Sequence, residues 1–584
     1  MFVSLSLGIG RFLGLKAGKI GILLVYVKAL SYKGKAGVKL EMKKVWNKIR
    51  KKEKKPIEYT EEAESNTNHQ KLETNLEANL KNIQETLGYS ADIIVRIFKI
   101  GNSSGRDAAV IFINGLVDKE HVASFIIDKI MNDHRKLNSS SAGLLFTGVK
   151  EQMITAAEVE ETQEWNKTIQ SLVSGKTILL LDGWDQAMIC PLKGGATRAI
   201  SEPSSEQSIR GPQESFIESL HTNVAMVRRR IKSAHLRVES VKIGDITETE
   251  VAIMYLKGIA NEKILTELKE RLQKVKVDEL IGSNTIEEWI RDGPRSVWPT
   301  IYNTQRPDVV MGELMEGRIA VFVDGTPNTL VLPATFIEFF QSAEDYYMHW
   351  SIASFLRMLR LLGITSTLLF PSFYIAFLSF HPDLIPTPLL ISLAAQRQEV
   401  PFPLFIEVLL LELTFEFLRE AGLRMPKQVG QAVSIVGALV LGEAAVSAGI
   451  VASATVIIVA ATAISSFTMS NHSMIDAVRI LRFGMIILAS SLGLYGVGLG
   501  LIILIAHTSS LRSFGVPYLT PFAPLIFTDL KDTLIRVSKP FMSTRPRLIA
   551  QKKVSKVGNT DTLGPAPRDR QTQENHSQRD PNEY

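Results

Sequence analysis

Two stretches of this chain run without formal charge for longer than a soluble core requires: LLGITSTLLFPSFYIAFLSFHP (361–382) and FGMIILASSLGLYGVGLGLIILIAHTSSL (483–511). A helix needs about 20 apolar residues to cross a hydrocarbon layer, so both are long enough to span. In lipid every backbone N–H and C=O must find its partner inside the structure, which leaves helices or closed barrels. Before residue 350 the chain alternates in the manner of a soluble α/β protein. The sequence therefore predicts a two-lobed α/β N-terminal region, cytoplasmic, followed by an α-helical transmembrane bundle of about four to six membrane helices.

Charge is distributed unevenly. Residues 11–55 hold fifteen Lys and Arg against two Glu, and the chain from Lys531 is basic again. Basic ends beside membrane spans point to a cytoplasmic face next to anionic lipid, and not to nucleic acid. The single Cys190 excludes an internal disulfide and a multi-cysteine zinc site, and fits a reducing compartment. IGILLVYV (20–27) is too short to span and has no cleavage site after it, so we do not read a signal peptide. We expect translation to begin at Met42, with 1–41 outside the fold.

The expected domains are a basic and acidic disordered segment (1–81), two α/β lobes (82–205 and 206–350), a helical transmembrane domain (351–530) and a basic disordered tail (531–584). IIVRIFKI (93–100) and AAVIFI (108–113) read as strands. TILLLDGWDQAMIC (177–190) and IAVFVDGTPNTLVL (319–332) each read as strand, Asp-Gly turn and returning strand. One such hairpin per lobe hints at repetition but does not establish it. SEPSSEQSIRGP (201–212) marks the hinge between the lobes.

Three motif matches carry no chemistry. GNSSG (101–105) has the spacing of a nucleophile elbow but leads into a strand where a helix is needed. SGKT (174–177) lacks the earlier glycine of a P-loop, Gln170 standing there, and also precedes a strand. GLYGVGLG (493–500) lies inside a charge-free span. Its Gly496 and Gly500, like Ala445, Gly449 and Ser453, are four apart, which suits close helix packing in a bundle or oligomer. No histidine cluster or metal-ligand spacing is present, and the chain reads as a non-enzyme without cofactor.

One segment stands apart: LFIEVLLLELTFEFLREAG (404–422) is built for a membrane yet contains Glu407, Glu412, Glu416 and Glu420. The last three fall within about 80° on a helix, with Glu407 well away. A carboxylate at bilayer depth costs roughly 2.5–3.5 kcal/mol, so these groups must face protein, water or the interface. Two readings stay open. They pair inside the bundle, with Arg357, Arg360 and Arg419 as partners, or they form the charged wall of a cation route, joined by Glu443. An even number of spans puts Arg479 and Arg482 on the outer side, against the positive-inside tendency.

Several long stretches resemble the A subunits of GerA-type spore germination receptors: IRGPQESFIESLHTNVAMVRRRI (209–231), RPDVVMGELMEGRIAVFVDGTPNTLVLPATFIEFFQSAEDYY (306–347), VPFPLFIEVLLLELTFEFLREAGLRMPKQVGQAVSIVGALVLGEAAVSAGIVAS (400–453) and SFGVPYLTPFAP (513–524). GPQE (211–214) stands where GPRE is expected, and Glu443 where a glutamine is expected. The resemblance implies a nutrient-sensing complex in the spore inner membrane. It implies a transporter-like B subunit and a lipoprotein C subunit as partners, a homo-oligomer, and cation release on germination. The alternatives are an accessory ion-release protein similar to stage V sporulation protein AF and a stand-alone secondary transporter. The latter lacks the expected repeat of spans.

Overall fold

The computed structural model describes residues 71–100, 106–132, 146, 159–192, 194, 206, 210–426, 442–550 and 555–556. The basic N-terminal segment, the start at Met42, GNSSG, most of the 201–212 break and the Gly-rich 428–441 lie outside the described residues. The first lobe begins earlier than expected. Leu72 and Leu76 are buried in its core, so 71–81 belongs to the fold and not to a linker.

That lobe contains α1 (Leu76–Leu87), β1 (Ile93–Ile100), β2 (Arg106–Ile113), β3 (Glu160–Thr162), α2 (Trp165–Val173), β4 (Thr177–Leu181) and β5 (Ala187–Cys190). The second contains α3 (Leu220–Arg230), β6 (Leu236–Ile243), β7 (Thr249–Leu256), α4 (Glu262–Lys274), α5 (Ser283–Ile290), β8 (Tyr302–Thr304), α6 (Pro307–Met315), β9 (Ile319–Val323) and β10 (Thr329–Leu332). Both sheets are wholly antiparallel, ordered β1-β2-β4-β5-β3 and β6-β7-β9-β10-β8. The two topologies are the same.

The likeness extends to single bonds. The Asn79 side chain closes a ring on the N–H and C=O of Glu73, and Asn223 does so on Ile217. The Asp182 carboxylate of the first Asp-Gly turn accepts from the Leu76 N–H at the start of α1, and Asp324 of the second turn accepts from Leu220 at the start of α3. Each carboxylate thus satisfies an orphan N–H and complements the positive helix end. The lobes are internal repeats, which the hairpins alone did not establish.

The lobes are also tied to each other. Arg228, 1 % exposed, holds Asp92 through two bonds of 2.7 and 3.0 Å and reaches Ser90 Oγ at 3.0 Å. Arg237 donates to the Thr86 carbonyl at the C-terminal end of α1. There Gly88 takes φ +64°, and a side chain on it would collide with the Arg237 guanidinium. Only glycine fits both the left-handed cap and the arginine.

Cys190 ends β5 with no exposure, and burial pushes its thiol up to about 12. The expected result is that iodoacetamide leaves the native protein unlabelled at pH 8 and alkylates it in denaturant, as intact-mass measurement would show.

After the second lobe come α7 (Trp350–Phe380), α8 (Thr387–Arg397), α9 (Leu404–Arg424), α10 (Ser453–Ser466) and α11 (His472–Ser510). Among the described residues α7 and α11 are long and apolar enough to cross a membrane. But α11 is not one rod. Gly493 has φ 62° and ψ −141°, a break in the helix. Beyond it Gly496 lies against the Leu488 carbonyl and Gly500 against Met485. The second arm therefore folds back on the first, giving arms of about 31 and 25 Å at 1.5 Å per residue. The tip at Gly493 meets Phe380 and His381 at the end of α7. Both feet stand on the second lobe: Ala477 and Val478 join its core, and His507 Nε2 is 2.9 Å from Ser296 Oγ.

The stretch 483–511 is therefore not a single crossing. Gly496 and Gly500 lie at a close helix contact within the chain. Arg479 and Arg482 lie near the lobe end of the bundle, next to Val478, which joins the core of the second lobe. Ala445, Gly449 and Ser453 are likewise no helical stripe, because Gly449 turns the chain at φ +66° between a helical segment at 442–447 and the start of α10.

The tail after 531 was expected to be disordered. Instead residues 511–550 run back over the second lobe. Phe514 and Val516 enter one face of its core, Tyr518 the other, and Ile549 and Ala550 are fully covered.

Candidate functional site

The four glutamates of α9 find four arginines, and none is a partner expected from sequence. Glu407, with no exposure, lies 3.2 Å from Arg397 Nε; its other oxygen accepts from the Ala452 N–H (3.1 Å) and Thr455 Oγ1 (3.0 Å). It thus caps α10 from outside, a carboxylate at a positive helix end. Glu420 is exposed and pairs with Arg424 one turn on, at 2.7 Å.

Glu412 and Glu416 meet the first arm of α11. Glu416 takes Arg479 through two bonds and Arg482 Nη2 at 3.0 Å. Glu412 lies 2.9 Å from the same Arg482 Nη2, both side chains essentially without exposure. Rising numbers on α9 meet falling numbers on α11, so the helices run antiparallel with charges in register. The two pairs differ in quality. Arg482 donates in line to Glu416, whereas neither oxygen of Glu412 has an aligned hydrogen bond. Glu412 is held by charge alone in a region of low dielectric, without the fork that makes Arg–carboxylate pairs strong.

Arg357 and Arg360, expected to serve these glutamates, lie elsewhere. Both grip Asp345, at 2.8 and 2.9 Å, where α7 leaves the second lobe. Arg357 also holds Asp532 at 2.9 Å, and Arg536 donates to the carbonyls of Asp345 and Met348. Segment 532–536 is therefore stitched to the root of α7. Arg419 is half-buried near Arg479 and Glu416, but among the described residues it makes none of the ion pairs of the cluster. Glu443 is exposed. The sequence contained the missed signal: Arg479 and Arg482, three apart beside a charge-free stretch, match the i,i+4 spacing of Glu412 and Glu416.

The chain is similar in sequence to known proteins. The model of the Bacillus/Clostridium GerA spore germination protein family matches residues 81–548. Spore germination protein KA of Bacillus subtilis is 45% identical over 83% of this chain and 89% of its own length. The uncharacterized membrane protein YfkQ of the same organism is 38% identical over 85% and 95%. Spore germination protein GerLA of Bacillus cereus is 37% identical over 82% and 97%. Among solved structures, the N-terminal domain of the A subunit of the Bacillus megaterium spore germinant receptor GerK3 is 39% identical. It matches 46% of this chain and 98% of its own, with a TM-score of 0.37.

Proposed function

The chain belongs to the GerA family of spore germination proteins, and from that premise we propose that it is the A subunit of a nutrient germinant receptor in the spore inner membrane. It works there as a homo-oligomer, with a transporter-like B subunit and a lipoprotein C subunit. Its lobes face the cytoplasm, and its bundle gates the release of cations. The observation that carries the reading is the Glu412–Arg482–Glu416 cluster, two carboxylates held between apolar helices toward the lobe end of the bundle. A buried ion pair is a poor stabiliser compared with apolar packing, so its presence here fits a working role. In the closed state Arg479 and Arg482 neutralise the acids. Withdrawal of α9 from α11 exposes carboxylates that attract cations.

Glu412→Gln tests this without stranding an arginine, because Arg482 keeps Glu416. Germinant-triggered K⁺ efflux from spores should slow roughly tenfold, the effect of about 1.4 kcal/mol on a barrier, at unchanged protein abundance. Efflux at the wild-type rate would remove Glu412 from the path.

A further inference from the structure

The returning segment 511–550 presents two kinds of side chain at its surface. Phe522, Leu525, Phe527, Ile535 and Phe541 are all exposed, from 39% at Phe522 to 74% at Phe527. Single exposed apolar residues need no explanation, but a run of them this dense marks a surface made for contact. The exposed charges of the segment are all basic: Arg512, Lys531, Lys539 and Arg547. Its two acids are drawn inward, Asp532 to Arg357 and the Tyr346 hydroxyl, Asp529 to the Arg547 N–H at 3.0 Å. Every exposed side chain of 511–550 is therefore apolar or basic.

The segment lies where the bundle meets the second lobe. On α7, Ile352, Phe355, Leu359 and Leu362 are exposed and fall within about 80° of one another, while Arg357 and Arg360 turn onto Asp345. The apolar outer face of α7 thus starts at Ile352, roughly 14 Å before the charge-free stretch begins at Leu361. The polar layer on each side of a hydrocarbon core is about 5–8 Å deep, so this foot of α7 is long enough to cross it. Residues 534–536 run beside the foot. Leu534 packs with Leu361 on the cluster that Ile364 enters, and the Arg536 N–H donates to Ser354 Oγ at 3.0 Å. Ile535 is held between these two anchors. Loop 519–528 starts from Tyr518, buried with Met474 and Ala477 of α11 in the same cluster.

We infer that this segment is seated on the bilayer. Phe522, Leu525, Phe527 and Ile535 enter the boundary between headgroups and acyl chains, and Lys531 and Lys539 meet anionic phosphate headgroups. Apolar side chains flanked by lysines are the composition of interfacial anchors, and each lysine at an anionic surface adds to the attraction. The surface continues the exposed apolar side of α7, which selects lipid over a soluble partner. An isologous contact with a second copy would oppose like charges. The seat rests on the reading of α7 and α11 as membrane-crossing helices. Because Asp532 and Arg536 of the same segment hold the root of α7, it fixes the height of the joint between lobe and bundle relative to the bilayer.

The test uses the full-length protein in liposomes of mixed phosphatidylglycerol and phosphatidylcholine. Leu525→Cys, Phe527→Cys and Ile535→Cys, all at exposed positions, are each labelled with an environment-sensitive fluorophore; the native Cys190 is buried and takes no label. Lipid with a nitroxide near the ester end of its acyl chain should quench all three more strongly than lipid with the nitroxide near the methyl end. Nitroxide-bearing phosphatidylglycerol should be enriched about fivefold over phosphatidylcholine at these sites, the equivalent of about 1 kcal/mol for one lysine. Lys531→Glu with Lys539→Glu should abolish that enrichment. Ile503→Cys, exposed on α11, reports the span itself, and Ile97→Cys, exposed on β1, gives the background. Quenching at Ile503 with none above background at the three segment positions would overturn the seat and leave the spanning role intact. No quenching at Ile503 would instead refute the span from which the seat is built. Blue-shifted emission without quenching would show that protein covers the segment, and equal quenching by the two lipid classes would remove the anionic headgroup; either result overturns the inference.

Discussion

Replacing Arg482 by methionine should remove this protein from the membrane. Arg482 is 1% exposed and lies between Glu412 and Glu416, within 3.0 Å of each. Methionine fills much of the arginine volume, so packing is largely kept while the charge is lost. Glu416 retains Arg479, but Glu412 becomes a lone buried carboxylate. Breaking a buried pair from one side costs about 3–5 kcal/mol, against a total stability of about 5–15 kcal/mol. Abundance in the membrane fraction should fall severalfold, since losses of this size are acted on by cellular proteases. The double variant Arg482→Met with Glu412→Gln should recover most of the wild-type level, because no unpaired charge remains at that depth. Wild-type abundance of the single variant would show that water reaches Glu412 in the resting state.

The lobes and the presence of a bundle could be read in sequence because their signals are local. β-branched runs, Asp-Gly turns and charge-free stretches are each visible in a window shorter than 40 residues. What escaped needed contacts between distant segments. Phe514 completes a core whose sheet ends at Leu332, and no periodicity announces such a return. The reversal at Gly493 was hidden because a glycine in an apolar run reads equally as packing or as a break. The partners of Glu412 and Glu416 were missed for a related reason. Arg357 and Arg360 looked suitable as basic residues at the start of a span, yet Asp345, only 12 and 15 residues away, claims both. The repeat of the lobes was hidden for another cause: it is carried by backbone rings at Asn79 and Asn223 and by turn carboxylates at Asp182 and Asp324, with little shared sequence around them.

The other large effect is expected at Asp345, where the second lobe is joined to the first helix of the bundle. Asp345 has no exposure and accepts from Arg357 Nε at 2.8 Å and from Arg360 Nη1 at 2.9 Å. Asp345→Ala leaves Arg360 with the Phe340 carbonyl and Arg357 with Asp532 and the carbonyl of Thr533. Arg360 is then a buried guanidinium without a carboxylate, and the stitch of segment 532–536 loses its centre. The loss should again be about 3–5 kcal/mol, seen as a lower unfolding midpoint of the purified protein. Glu420→Ala provides the contrast. Its pair with Arg424 is exposed on both sides, and its removal should cost less than about 1 kcal/mol. In a cycle with Arg360→Met, the double variant should be far less damaged than the sum of the singles, because the second change removes the stranded charge. Equal, small effects at Asp345 and Glu420 would mean that the joint between lobe and bundle is open to water and that the arginines there carry no load between them.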